Sequence, residues 1–324
     1  VRIRDVVVEP ALALAPMEGV TDLTFRRLIR GIGGCGMTYT EFIPAAGLAR
    51  DAARCRALAQ FDDDEHPIAV QVYGREPAVL AEGARVAQDL GADVVDLNMG
   101  CPSKKVCAHS GGSALLREPD MARQIVRAMR AAVTVPFTVK MRAGWGPELR
   151  NAPEIAWMCQ EEGVEAVTVH WRTRADGYGG TLDLSTVAEV KRRLSIPVVC
   201  NGDIVDAASA RRALAETGAD GLMIGRGAVK NPWVFREILA DRAGLPAPVI
   251  DLNERERVLL AYFEAIRVAF RSDVGALGRW KKISRYFTEG VPDGERLKDG
   301  ILHAHTVDGA LAAVSRFFDE ARAA

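Results

Sequence analysis

Eight short apolar runs recur along the chain at intervals of roughly 25–45 residues, with amphipathic stretches between them. The runs cover residues 11–17, 37–43, 68–73, 94–97, 137–141, 166–170, 197–201 and 221–224. Residues 77–90, 119–131, 153–162, 184–194 and 207–217 instead carry apolar positions at helical spacing. Gly91, Gly163 and Gly218 follow directly on three of those stretches, where a left-handed residue commonly ends a helix. Alternation of strand and helix over about 240 residues predicts an α/β chain folded as a (β/α)8 TIM barrel. A doubly wound sheet would want Gly-x-Gly-x-x-Gly after its first strand, and Ala15-Pro16-Met17-Glu18-Gly19 has no such spacing.

The pattern changes around residues 241–253, a proline-bearing linker. Beyond it no strand run occurs, and residues 258–270, 277–287 and 310–321 show helical periodicity. The chain therefore divides into a barrel over 1–243 and a small C-terminal all-helical domain over 244–324.

Charge adds a constraint. A net charge of −1 over 324 residues provides no global field for nucleic acid or an anionic membrane, so either partner must meet a local basic patch. The six cysteines (35, 55, 101, 107, 159 and 200) form no Cys-x-x-Cys pair and no Cys/His cluster with metal spacing. That usage predicts no metal and a reducing, cytoplasmic setting. Residues 11–15 end in Ala-Leu-Ala like a signal-cleavage site, but Asp5 and Glu9 spoil the preceding region. No run approaches the length needed to span a membrane.

The candidate chemistry lies at the strand ends, because barrels of this kind carry their sites on the C-terminal face. In order these are Pro16-Met17, Glu41, Gln71, Asn98 with Cys101, Lys140 with Arg142, His170 with Arg172, Asn201-Gly202-Asp203, and Gly225-Arg226-Gly227. The segment Val94-Val95-Asp96-Leu97-Asn98-Met99-Gly100-Cys101-Pro102 stands out: Pro102 cannot continue a sheet ladder and pushes Cys101 out of helical geometry. A thiol is thus presented where a strand gives way to a loop. Asn201-Gly202-Asp203 and Gly225-Arg226, on the last two strands, suit a phosphate at helix N-termini. Gln71 and Lys140 suit the carbonyl and nitrogen edge of a flat ring. Phosphate at one end and a hydrogen-bonded heterocycle at the other point to flavin mononucleotide (FMN).

On these residues the chain resembles the tRNA-dihydrouridine synthases, flavin enzymes that reduce uridines in tRNA. The matching segments are Ala15-Pro16-Met17, Thr40-Glu41, Gln71, Leu97-Asn98-Met99-Gly100-Cys101-Pro102-Ser103-Lys104, Gly111-Gly112-Ser113, Val139-Lys140-Met141-Arg142-Ala143-Gly144-Trp145, His170 with Arg172-Thr173, Asn201-Gly202-Asp203-Ile204 and Ile224-Gly225-Arg226. The resemblance implies that Pro16, Met17, Gln71, Lys140, His170, Asn201, Gly202, Asp203, Gly225 and Arg226 hold the flavin, with NADPH as its reductant. It implies Cys101 as proton donor, and the chemistry agrees. The uracil C5=C6 bond is conjugated to a carbonyl, so hydride adds at C6 and C5 must take a proton. A thiol with a pKa near 8.5 is protonated at neutral pH and can give it. Asn98, Arg172 and Tyr178 are the substrate-side candidates. Trp171 departs from the family, which usually has glycine after that histidine.

A flipped uridine needs phosphate contacts elsewhere to offset unstacking. Residues 267–285 supply a basic stretch: Arg267, Arg271, Arg279, Lys281, Lys282 and Arg285 against Asp273 alone, a net +5, with Trp280, Tyr286 and Phe287 interleaved. Lys281, Lys282 and Arg285 are the expected tRNA contacts, although Trp280 and Phe287, seven apart, also fit a helix core. Two other readings compete: a flavin barrel acting on a free pyrimidine or dihydroorotate, and a non-catalytic RNA-binding relic. The basic tail argues against the first, and the intact strand ends against the second. A monomer is the simpler expectation.

Overall fold

The computed structural model describes residues 1–108, 111–270 and 272–323, so Arg271 of the basic stretch lies outside the described residues. Two compact units are present, one of Val1–Leu23 with Gly34–Gly225, the other of Thr24–Gly33 with Arg226–Ala324.

The first unit is a parallel barrel of eight strands: β1 (Leu12–Leu14), β2 (Thr38–Tyr39), β3 (Ile68–Tyr73), β4 (Val94–Met99), β5 (Phe137–Arg142), β6 (Ala166–His170), β7 (Val198–Asn201) and β8 (Gly221–Ile224). Each of β2 to β7 pairs in parallel with the next, and β8 returns to β1 with Leu222 opposite Leu12. A parallel bridge between Ala13 and Met37 brings β1 against the start of β2 and completes the ring. The second apolar run is split in the structure. Thr38–Tyr39 and Ile43–Pro44 pair separately with β3, because between them the Thr40 hydroxyl takes the Gln71 N–H at 3.2 Å.

Helices Pro77–Asp89, Pro119–Ala132, Ala152–Glu161, Ser185–Arg193 and Ala207–Thr217 fill the expected intervals. Two of them begin on proline, where the missing N–H is unneeded. Ala207–Thr217 is fixed at both ends. Asp206 and Ser209 cap reciprocally, and Gly218 closes the helix at φ +65°.

Alternate strand residues point inward, and the barrel interior is layered. Towards the strand starts the filling is apolar: Ala13, Met37, Ala69, Val94, Ala166 and Met223, with Tyr39. Ile3 and Val8, at the N-terminal hairpin of Arg2–Ile3 and Val6–Val7, pack into the same cluster and plug that end. Two-residue strands carry too little periodicity to show in the sequence. A small cavity under this plug, lined by residues including Ile3, Tyr39, Thr138 and Thr168, lies at the end opposite the candidate chemistry.

The second unit is helical: Leu23–Ile32, Arg226–Lys230, Val234–Arg242, Leu252–Ala269, Asp273–Phe287, Gly294–His303 and Val307–Ala323. Helices Arg226–Lys230 and Val234–Arg242, which the sequence places with the barrel, group here with the tail. Trp280 is fully buried and stacks on Phe263 at 4.2 Å, its indole N–H donating to the Phe263 carbonyl. Phe287 packs edge-on to Trp233. Both aromatics are therefore core, and Arg279 is buried with them, which removes three residues from the surface implied by the basic stretch. Lys282, Arg285 and Tyr286 remain exposed on the same helix, with Lys281 partly so. Among the described residues no helix is long and apolar enough to cross a membrane.

Candidate active site

The parallel register sets the polar strand ends side by side. Gln71 on β3 lies opposite Asp96 on β4, Asn98 opposite Lys140 on β5, Arg142 opposite His170 on β6, and His170 opposite Asn201 on β7. Hydrogen bonds join several of these side chains in two groups, one around Asp96 and one around Lys140. The Gln71 amide donates to Asp96 Oδ2 at 2.6 Å and accepts from Asn98 Nδ2 at 2.7 Å. Thr138 donates to the other Asp96 oxygen at 2.5 Å. Lys140 Nζ donates to Asn201 Oδ1 at 2.9 Å, and Asn201 Nδ2 donates to the Met223 carbonyl at 2.7 Å.

Burial distorts the titration of these groups. It pushes the Asp96 carboxyl up to about 6, although hydrogen bonds from Thr138 and Gln71 and the Lys140 charge oppose the rise. It pulls Lys140 down to about 8, with the neighbouring Arg142 cation adding to the effect and Asp96 opposing it. Arg142 falls to about 10, again mainly through burial. Tyr39, beneath Asp96, is raised well above its ordinary value by burial and then by the carboxylate.

Cys101 sits on a turn held by its backbone. Asn98 Oδ1 accepts the N–H of Gly100 at 3.0 Å and that of Cys101 at 2.9 Å. The Cys101 carbonyl accepts the Ser113 N–H at 3.1 Å and the Cys107 thiol at 3.5 Å. Arg142 Nε anchors the Gly100 carbonyl at 3.0 Å. Gly112 is required there: at φ +58°, a Cβ would come within 2.8 Å of the Cys101 carbonyl oxygen and 3.1 Å of its Cβ. The half-buried thiol is raised from its ordinary pKa, chiefly by burial. Burial thus favours the neutral S–H over the thiolate.

The remaining candidates occupy the same barrel end, with exceptions. Met17 opens a turn in which its N–H meets the Thr21 hydroxyl at 2.9 Å, and Met17 Sδ lies 3.5 Å from where a Gly225 side chain would begin. Beside Pro16 and Met17, the Gly19 N–H is bound by the Glu41 carboxylate, which ties the β1 loop to the end of β2. Gly202 is pressed against His170 and Trp171, whose ring atoms would be 2.6 Å from an added Cβ. Trp171 is buried, its indole lying against Gly202 under the Arg172 guanidinium.

Arg172 and Asp203 bind each other. Two N–H···O bonds of 2.8 Å join them, while Arg172 Nε donates to the Gly179 carbonyl at 2.6 Å and the guanidinium covers the Trp171 ring. The guanidinium expected on the substrate side is thus engaged within the protein, where it shapes the loop after β6. Tyr178, in that loop, is exposed and lies 5.8 Å from the Arg142 guanidinium. Arg226 begins the helix Arg226–Lys230 of the second unit and is exposed. Lys281, Lys282 and Arg285 lie on Asp273–Phe287 of that unit. No group of three potential metal-ligating side chains occurs among the described residues.

Asp96 and Thr138 in the first group, and Tyr39 close to the Asp96 charge, were not among the sequence candidates. The available signal was parity: Asp96 and Thr138 each precede a candidate, Asn98 and Lys140, by two residues and so share its inward face.

The profile of the Dihydrouridine synthase (Dus) family matches residues 13–322. "tRNA-dihydrouridine synthase B" of Pseudomonas aeruginosa is 37% identical over 321 residues, covering 99% of this chain and 96% of that protein. The "Probable tRNA-dihydrouridine synthase" of Rhodobacter capsulatus is 38% identical over 98% of this chain and 97% of that protein. Among solved structures, morphinone reductase superposes with a TM-score of 0.52 at 13% identity, over 78% of this chain and 91% of that one, a likeness of fold. The chain belongs to the dihydrouridine synthase family.

Proposed function

We propose that this protein reduces uridine in tRNA to 5,6-dihydrouridine, with FMN at the barrel mouth, NADPH as reductant and Cys101 as the acid. The observation that carries the reading is a half-buried thiol, its pKa raised by burial, held by its own backbone at the polar end of the barrel in a chain of this family.

The donor set fits a flavin. Lys140, Gln71 and Asn201 stand towards the C-terminal ends of three strands, and a flat ring bearing carbonyl oxygens and nitrogens suits N–H donors of this kind. Pro16, Met17, His170, Gly202, Asp203, Gly225 and Arg226 are the further residues proposed to hold it. Lys140, deprived of solvent, gains most from an anionic partner and so favours negative charge on the ring. Bound there, FMN would supply hydride from N5 to uracil C6. The protein supplies the rest: Asn98 orients the uracil edge, and the Cys101 S–H gives its proton to C5. Tyr178 and the second-unit residues Lys281, Lys282 and Arg285 are proposed to contact tRNA, the latter three through phosphate. The enzyme is proposed to act as a monomer in the cytoplasm.

Cys101→Ala tests the reading. It should bind FMN and be reduced by NADPH like the parent, yet lose dihydrouridine formation by about 10²-fold or more. Undiminished product from that variant overturns the assignment. Product from free uracil with none from tRNA transcript would overturn the substrate.

A further inference from the structure

Asp96 is fully buried, and both of its oxygens are engaged, Oδ1 by the Thr138 hydroxyl and Oδ2 by Gln71 Nε2. An ionised carboxylate only accepts hydrogen bonds. Gln71 must therefore turn its NH2 towards Asp96, which leaves Oε1 to face Asn98, and Asn98 must answer with its own NH2. The Asn98 oxygen is then the atom left for the backbone N–H groups of Gly100 and Cys101. Those can only donate. The chain has an obligate acceptor at one end and obligate donors at the other, so it closes with a single polarity. Flipping Gln71 sets like against like at two contacts, and flipping Asn98 at three.

We propose that Asp96 is a positioning residue, whose carboxylate fixes the orientation of Gln71 and, through Gln71 and Asn98, the turn that presents the Cys101 thiol. The role of Cys101 as an acid rests on the function proposed above, whereas the relay rests on the hydrogen bonds alone.

A second explanation is that Asp96 serves only as counter-charge to Lys140. Substitution separates the two. In Asp96→Asn the amide oxygen can still accept from Gln71 while its NH2 meets Thr138, whose hydroxyl turns to accept. The charge is gone and the relay survives. In Asp96→Leu both are gone, and Gln71→Leu cuts the relay with the charge in place.

The test is the rate at which iodoacetamide alkylates Cys101 in the purified full-length protein as isolated, read by peptide mass spectrometry. It needs neither tRNA nor NADPH, so it stands whether or not the proposed reaction does. Loss of a buried hydrogen bond that holds the turn should raise the rate about tenfold in Asp96→Leu and in Gln71→Leu. Asn98→Ala, which removes the last link, should do the same. Asp96→Asn should stay within about twofold of the parent. Should Asp96→Leu fail to fold, Gln71→Leu and Asp96→Asn decide between them. Parent-like rates in Gln71→Leu, or an Asp96→Asn as reactive as Asn98→Ala, overturn the proposal.

Discussion

Replacing Lys140 by Met removes a buried ammonium while keeping most of the side chain's length. In the folded protein Lys140 is pulled from an ordinary value of 10.5 to about 8, first by burial and then by Arg142. At 1.36 kcal/mol per pH unit, the charged form costs about 3 kcal/mol of stability. Partial exposure at the mouth lets water screen the charge and trims this to about 2 kcal/mol. The folded state releases its proton near pH 8 and the unfolded state near 10.5, so between those values the unfolded chain binds more protons. Wild-type stability therefore gains from this group as pH rises through that window. Below it the penalty is full and constant, and above it the penalty is gone.

Met does not titrate, so the stability difference between wild type and Lys140→Met should shift by about 2–3 kcal/mol in favour of wild type between about pH 8 and 10.5. Cys159 and Cys200, both pushed up to about 12 by burial, oppose the trend in both proteins and cancel in the difference. The orphaned Asn201 oxygen offsets the variant's curve without changing its slope. Urea denaturation of the two proteins across this range measures the difference directly. Parallel curves would show that Lys140 titrates like a solvated lysine, and the electrostatic account of the mouth would fail with it.

Gly112→Ala places a methyl against the Cys101 carbonyl at a backbone angle that disfavours it. It should cost about 1–3 kcal/mol in chemical denaturation and reduce turnover more than flavin content, and a neutral effect would mean the turn is slack. Replacing Lys281, Lys282 and Arg285 together by Gln should weaken tRNA binding and lower the slope of log K against log salt by up to about 3. An unchanged slope would place the RNA surface elsewhere.

Much of the barrel was legible because its signal is periodic. A strand buried on both faces reads as an apolar run, and a helix over it reads as a stripe, so Ile68–Tyr73 and Pro77–Asp89 announce themselves within a few residues of their true bounds. The N-terminal hairpin escapes because two residues carry no period. Gly294–His303 escapes because its buried face shows few large apolar residues, Leu297 and Ile301. In the tail, Trp280 and Phe287 lie among cations in sequence yet face inward, since helical spacing puts residues seven apart on one side.

Site residues divide along a different line. Cys101, Asn98 and Lys140 could be found because each interrupts an apolar strand near its end. The Arg172–Asp203 pair could not, because its partners stand on different loops and only the closed barrel sets them 2.8 Å apart. Asp96 was hidden for a further reason: a lone carboxylate in a strand reads as a solvated side chain until the sheet closes over it. What the fold adds is therefore a protonation state and a direction more than a set of residues. Sequence offers a cysteine that could be nucleophile, ligand or acid. Burial raises that thiol's pKa, and the hydrogen bonds running from Asp96 through Gln71 and Asn98 to its backbone give the proposed relay one polarity. Together these favour the acid over the other two.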